Sequence, residues 1–354
     1  MSKSPFLSLF KNIPSSASLA SDGKSSAEFS GFIDTGSYAL NAALSGSIFN
    51  GMPDNKLTVF AGESSSGKTY FILGILNNWM KLNPTGVVVY FDTESAVTNK
   101  MMEERGLDCS KVIKVEPETI EQFRESAVGI LDNYGALETK DSYPMIMVLD
   151  SLGNLSSNKE IQDIRDQKDT RDMTKAQLLR GTFRVLRLRL AKLNVPMIVS
   201  NHTYAVVGSY VPTTTMSGGG GLKYVSDSIV MLRKSKDKDK DKNVIGNIVH
   251  IKMEKSRLSK ENSEVEVKIS YSGGLDKYHG LLEMAEESGL VSVNMGKYNF
   301  PNSAVPVKLA VIEKDPSKFF TPEFLKKLDK EYVVPTFSYG MGAPAPVDTT
   351  EELD

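Results

Sequence analysis

Apolar residues in this chain fall into short unbroken runs, and stretches of helical spacing separate them. Residues 57–61, 87–91, 112–115, 145–149 and 195–200 are compact apolar runs of the kind buried parallel strands show. Between them, 70–82 places Ile72, Ile75, Leu76, Trp79 and Met80 at helical intervals and stops at Asn83-Pro84. Residues 99–105, 118–132 and the Leu- and Arg-rich 174–194 predict three more helices. Upstream, Thr35-Gly36-Ser37 opens a short helix carrying Leu40, Leu44 and Ile48. Strand alternating with helix predicts an α/β fold with a doubly wound, mainly parallel sheet.

The later pattern differs. Residues 229–233 and 248–253 read as strands, and 265–271 alternates as a half-buried strand does before a helix over 276–288. Between the first two, 234–242 alternates Lys and Asp and is read as a solvated hairpin tip. Residues 154–172 are polar and of mixed charge. Residues 205–221 form a long loop without period, of a length that points to function or disorder. Beyond Val291 the pattern fades, apart from a small helix within 316–332, and the last residues are acidic. The expected organisation is a segment and linker over 1–30, a core over 31–290, a small region over 291–340 and an acidic tail over 341–354. The segment Phe6-Leu7-Ser8-Leu9-Phe10 has two readings, an incidental apolar tail or a peptide that docks on a neighbouring copy.

Composition narrows the function classes. With 354 residues, 40% of them hydrophobic, a large packed core is expected. A net charge of −2 gives no global positive field, so any polyanion must be met by a local patch. Cys109 is the sole cysteine, which excludes a disulfide framework and fits a cytoplasmic setting. Three histidines and one cysteine do not make the usual zinc ligand set. No run approaches the ~20 apolar residues of a membrane span, and no secretory leader is expected.

The candidate chemistry gathers at strand ends. Gly62, Glu63, Ser64, Ser65, Ser66, Gly67, Lys68 and Thr69 fit G-x-x-x-x-G-K-[ST], between a strand and a helix that Tyr70 continues. Such a loop wraps phosphate with backbone N–H groups. Its Lys reaches the β- and γ-phosphates of ATP, and its Thr holds Mg²⁺. The run ending in Asp150 has the Walker B form, whose Asp belongs to the Mg²⁺ shell, so Thr69 and Asp150 are the expected metal contacts. Glu94 closes another strand. It is either an acid at a helix start or the general base that orients water. His202 is either a locally bonded strand-end histidine or a γ-phosphate sensor.

These motifs, with Leu149 to Leu155, Asn201-His202-Thr203-Tyr204, the Gly218 to Gly221 run and Glu254-Lys255-Ser256-Arg257, resemble the RecA family of strand-exchange ATPases. The resemblance covers roughly residues 30–290 and is strongest to its UvsX branch in tailed phages. It implies a RecA-like core with a short N-terminal polymerisation segment and a small C-terminal extension. The implied activity is ATP-dependent homologous pairing and strand exchange by a helical filament on single-stranded DNA. Double-stranded DNA, single-strand-binding proteins and mediators are the implied partners. Glu94 matches the catalytic glutamate, and His202 stands where RecA has a Gln and the phage branch a His. Lys255 and Arg257 match cations that reach the neighbouring protomer's ATP, and Tyr271 matches a tyrosine near adenine. Residues 154–172 match the first DNA-binding loop, with Lys159, Arg165, Lys168 and Arg171. Residues 205–221 match the second, with Tyr204 at its root, Tyr210, Gly218, Gly219, Gly220 and Gly221. Met101 departs from the aromatic that the family often places on the base. A hexameric helicase or motor is the alternative that shares this core, and a nucleotide-bound scaffold is a further one.

Overall fold

The structure, a computed structural model, describes residues 31–168, 174–205, 214–218 and 221–339. The expectations for 1–30, Arg171, Tyr210, Gly219, Gly220 and the acidic tail lie outside the described residues.

The chain opens with β1 (Phe32–Ile33), α1 (Tyr38–Ser45) and β2 (Met52–Pro53), the two strands pairing antiparallel. Ser37 caps α1, as expected. Next come β3 (Leu57–Gly62), α2 (Lys68–Leu82), β4 (Val87–Asp92), α3 (Asn99–Glu104), β5 (Val112–Val115) and α4 (Ile120–Ala136). They are followed by β6 (Met145–Asp150), α5 (Asn158–Arg165), α6 (Lys175–Leu193), β7 (Met197–Ala205), β8 (Thr214–Met216) and α7 (Gly221–Val225). The strands β9 (Ser228–Lys238), β10 (Val244–Lys255), β11 (Glu264–Ser270) and β12 (Gly274–Leu275) complete the main sheet.

That sheet has the order β12-β11-β10-β9-β3-β7-β6-β4-β5, with β8 added antiparallel to β7. The strands from β9 to β5 along this order are parallel, while β10 to β12 extend the sheet antiparallel. Period-two alternation sorts each parallel strand between two cores. In β3, Phe60 joins one core, and Leu57, Val59 and Ala61 join the other. The first core also takes Phe71, Ile72, Ile75 and Leu76 of α2. The second takes Ile120, Phe123, Ala127 and Leu131 of α4, with Leu179, Phe183, Leu186 and Leu190 of α6. Helices therefore cover both faces of the parallel half, and the fold is the expected doubly wound α/β.

Several boundaries differ from the sequence reading. Residues 154–172 contain α5, started by a capping box in which Ser157 and Glu160 satisfy each other's backbone N–H groups. Strand β7 runs on through Asn201 to Ala205, because Thr203 and Ala205 pair with Met216 and Thr214 of β8. So 205–221 is not wholly loop, and Gly221 heads α7. Strand β9 extends through 234–238 of the Lys/Asp run and β10 starts at Val244, which leaves only 239–243 as the turn. The helix expected from Asp276 begins at Leu281, as α8 (Leu281–Glu287).

Past Val291 the described chain forms a small sheet of β13 (Ser292–Asn294), β14 (Lys297–Asn299) and β15 (Val307–Lys308). The helices α9 (Leu309–Lys314), α10 (Pro322–Leu328) and α11 (Val334–Phe337) follow it. Phe300, Phe320, Phe324, Leu328 and Val333 belong to the same core as α1 and α2.

Candidate active site

The phosphate-binding pattern occupies the turn from β3 into α2. Gly67 takes φ +99° at the helix cap. At Gly62 a Cβ would come within 2.6 Å of Leu232 O, so backbone and neighbouring strand meet only because the residue is glycine. Glu63, Ser64 and Ser65 are exposed on the loop, while Ser66 and Lys68 are buried. Lys68 Nζ donates to Gly62 O at 3.0 Å and Glu63 O at 2.8 Å. Burial lowers the Lys68 pKa, and the charges of Glu94 and Asp150 work against that shift. Ser66 Oγ is buried without a partner. A buried ammonium held by carbonyls alone, beside an orphaned hydroxyl, fits a loop built to receive phosphate.

Asp150 ends β6 next to this loop. It accepts hydrogen bonds from Thr69 Oγ1 and Tyr90 OH, both at 2.8 Å, and from Ser200 Oγ. Burial and Asp150 push the Tyr90 phenol well above its ordinary pKa, so Tyr90 stays a donor. The hydroxyl of Thr69 against a buried carboxylate is the donor pair expected around Mg²⁺. Among the described residues, no group of three or more His, Cys, Asp or Glu could hold a metal by itself.

Glu94 lies past the end of β4. Ser151 Oγ donates to its Oε1 at 2.7 Å, and His202 Nε2 lies 2.8 Å from the same oxygen. Burial raises the Glu94 pKa, but Ser151, His202 and Lys68 together outweigh it and leave it below the ordinary value. The preceding acid, Asp92, accepts Glu94 N at 3.2 Å and Val97 N at 3.3 Å and pairs with Lys114 at 3.4 Å, so it is spent on the turn. His202 is also tied to the loop beyond it. Ser217 N donates to His202 O, Asn201 Nδ2 donates to Ser217 O, and Gly153 packs against the imidazole.

For the expected adenine contact, β11 runs parallel to β3, so Tyr271 emerges at the same sheet edge as the phosphate loop. Ile269 underlies Gly67, Gly274 abuts the Tyr70 hydroxyl, and Tyr271 itself is exposed. Arg105 stacks over the Tyr70 ring at 3.9 Å, one helical turn from the exposed Met101.

Lys255 and Arg257 sit elsewhere. Lys255 pairs with Ile229 at the root of β9, in line with the start of β3, whereas Gly62 pairs with Leu232. Ile229 pairs with Val59, and the rise from Val59 to Gly62 along β3 is about 10 Å. The two cations therefore stand at the sheet edge opposite the phosphate loop of their own chain.

The candidate DNA contacts scatter over the loop side. Lys159, Arg165 and Lys168 are exposed on and after α5, with Lys168 paired to Asp166 at 2.8 Å. Tyr204 is exposed at the root of the second loop, and Gly218 lies against Leu179. Sequence reasoning missed Tyr90, Ser151, Ser200, Arg105 and Asp227. A polar group inside an otherwise apolar strand was the available signal for Tyr90 and Ser200.

A family model described as the RecA N-terminal domain matches residues 14–276. The chain belongs to the RecA family. It is 35% identical over 252 residues to the recombination and repair protein of Enterobacteria phage T4, covering 71% of this chain and 62% of that protein. It is thus matched over less than two thirds of the phage protein's length. RecA of Desulforapulum autotrophicum is 25% identical over 323 residues, 90% of this chain and 87% of that one. RecA of Anaplasma marginale is 29% identical over 270 residues, 76% and 71% of the two chains. These names favour the recombinase reading over the helicase one. Among the described residues, no helix is long and apolar enough to cross a membrane.

Proposed function

We propose that this RecA-family chain is an ATP-dependent recombinase that polymerises on single-stranded DNA and drives homologous pairing and strand exchange. The observation that carries the reading is the division of the candidate residues between two opposite sheet edges. One edge holds Lys68, Thr69, Asp150, Glu94 and His202; the other holds Lys255 and Arg257. A complete site then needs two copies, each lending its cations to the nucleotide of the next.

Within one copy the roles follow from the contacts. Lys68 exchanges its loop carbonyls for the β- and γ-phosphate oxygens, and Ser66 gains the partner it lacks. Thr69 and Asp150 would hold Mg²⁺, which when bound draws charge off the phosphate oxygens. Glu94, kept ionised by its neighbours, accepts a proton from attacking water, and Ser151 fixes the carboxylate's orientation. His202 touches that carboxylate and, through its backbone, Ser217, so it stands between the γ-phosphate side and the second loop. The loops after Asn154 and Tyr204 meet DNA phosphates and bases without reading sequence. Residues 1–30 dock on the neighbouring copy.

Negative-stain electron microscopy with single-stranded DNA, Mg²⁺ and a non-hydrolysable ATP analogue tests the reading. Long helical filaments that vanish without the analogue are expected. Closed rings would support a hexameric motor instead, and dispersed monomers would refute an interfacial site.

A further inference from the structure

Asp227 lies at the root of β9, between α7 and the strand, and it is 4% exposed. Its backbone N–H donates to Leu57 O at 2.9 Å, and Leu57 N donates back to its Oδ2 at 3.1 Å. One carboxylate oxygen is thereby fixed to the start of the strand that leads into the phosphate loop. The other, Oδ1, receives Arg187 Nη2 of α6 at 2.8 Å and faces Arg257 Nε at 3.6 Å. Arg187 makes the closer contact, and Arg257 is held in the same field with its side chain half exposed. Lys255 Nζ, close by, donates to Lys223 O at 2.7 Å and Tyr224 O at 3.3 Å, carbonyls in the last turn of α7. Lys223 in turn pairs with Glu254 at 2.5 Å. Burial and the neighbouring Arg257 both disfavour the charge on Lys255.

A single buried carboxylate thus stands among Arg187, Arg257 and Lys255 and offsets the repulsion between them. Without it, three cations at one edge would splay apart. The same residue lies just past Ser226, which follows the short helix in which the second loop ends. We infer that Asp227 is the positioning residue of the far-edge cations, aiming Arg257 and, through α7, Lys255 at the neighbouring copy's nucleotide. This rests on the shared-site reading above. It adds a route by which the second loop and that nucleotide affect each other. When Lys255 turns to a phosphate, the last turn of α7 loses its cap. When the loop reshapes α7, Lys255 is released or retained. Linkage makes the two effects reciprocal.

The test uses the full chain with single-stranded DNA and ATP. Asp227→Asn alone is expected to lower turnover about 10- to 100-fold, as a misplaced catalytic group does. The loss should include a raised KM for ATP and weakened stimulation by DNA. Mixing Asp227→Asn with Lys68→Ala, itself inactive, is expected to restore turnover, because the phosphate loops of the first then meet intact cations of the second. A merely structural defect would not be restored by mixing. Arg257→Ala mixed with Lys68→Ala runs in parallel. Restoration there but not with Asp227→Asn overturns the role of Asp227, as does full turnover by Asp227→Asn alone. Failure of both mixtures overturns the shared site, and the inference with it. Should Asp227→Asn not fold, Arg187→Met serves instead. It leaves Arg257 as the carboxylate's sole guanidinium partner and draws it inward, so the same mixing-restored deficit is expected. Wild-type turnover and KM in Arg187→Met would overturn the inference.

Discussion

Among the described residues, Ser151 and His202 both bond one oxygen of Glu94, and in the proposed role the second oxygen would accept from water. Although burial opposes it, the net effect of these partners holds the Glu94 pKa below the ordinary 4.5. A depressed acid stays ionised as pH falls, so the acid limb of kcat/KM, which reports the free enzyme, is expected on the acid side of the ordinary glutamate value. Removing His202 takes away a group that lowers this pKa. His202→Ala should therefore move that limb upward, which a pH–rate profile of DNA-dependent hydrolysis would show. Glu94→Gln should lower turnover by about 100-fold or more while ATP still binds, checked by fluorescence of a nucleotide analogue. In folding, the Glu94 interactions stabilise the chain at pH above the ordinary glutamate value, and the contribution is lost as pH falls through the depressed one. At this scale the sequence was informative wherever a strand end carried an acid, as at Glu94 and Asp150. It was silent on Ser151, Ser200 and Tyr90, whose positions depend on which strands become neighbours in the sheet.

Among the described residues, two helices carry a complete capping box, α4 with Thr119 and Gln122, and α5 with Ser157 and Glu160. Thr119 is buried, and its hydroxyl accepts Gln122 N at 3.2 Å. Thr119→Ala should cost about 1 kcal/mol of stability, read as a lower urea midpoint with ATP turnover per folded molecule unchanged. The motif at Ser157 was present in the sequence, but the mixed charges around it masked the short helix it starts. The Lys/Asp run is the solvated end of a hairpin, as expected, but its strand reaches further than the charge pattern suggested. Its pleat puts Lys234, Lys236 and Lys238 on one side. Two of the acids find partners, Asp237 with Lys268 of β11 at 2.9 Å and Asp239 with Asn243 and the turn backbone. Cross-strand partners of this kind, supplied from β11, cannot be read from a charge pattern along one strand.

The region past Val291 is held to the rest by aromatic packing and by Asp329. The Phe320 ring lies 5.5 Å from Phe300, 5.7 Å from Phe324 and 6.1 Å from Tyr278. Asp329 accepts Ser47 Oγ at 2.9 Å and Ile48 N at 2.8 Å, and burial raises its pKa despite those bonds. Because these residues share the core of α1 and α2, Phe320→Ala should destabilise the whole described fold by about 3–5 kcal/mol. A single shifted transition in calorimetry is expected, and two separate transitions would show that the C-terminal region melts alone. The region gave little periodic signal because its strands are two or three residues long. The parallel half was legible because every strand there is an apolar run at the right interval. The separation of phosphate loop and cations across that half has a last consequence. In the proposed filament, copies joined head to tail would make a string that does not close, and such a string has two unlike tips. The copy at one tip has a phosphate loop that no cations cover. The copy at the other tip offers Lys255 and Arg257 to nothing. In such a filament, addition and loss of copies would be chemically different events at the two tips, and complete nucleotide sites would number one fewer than the copies.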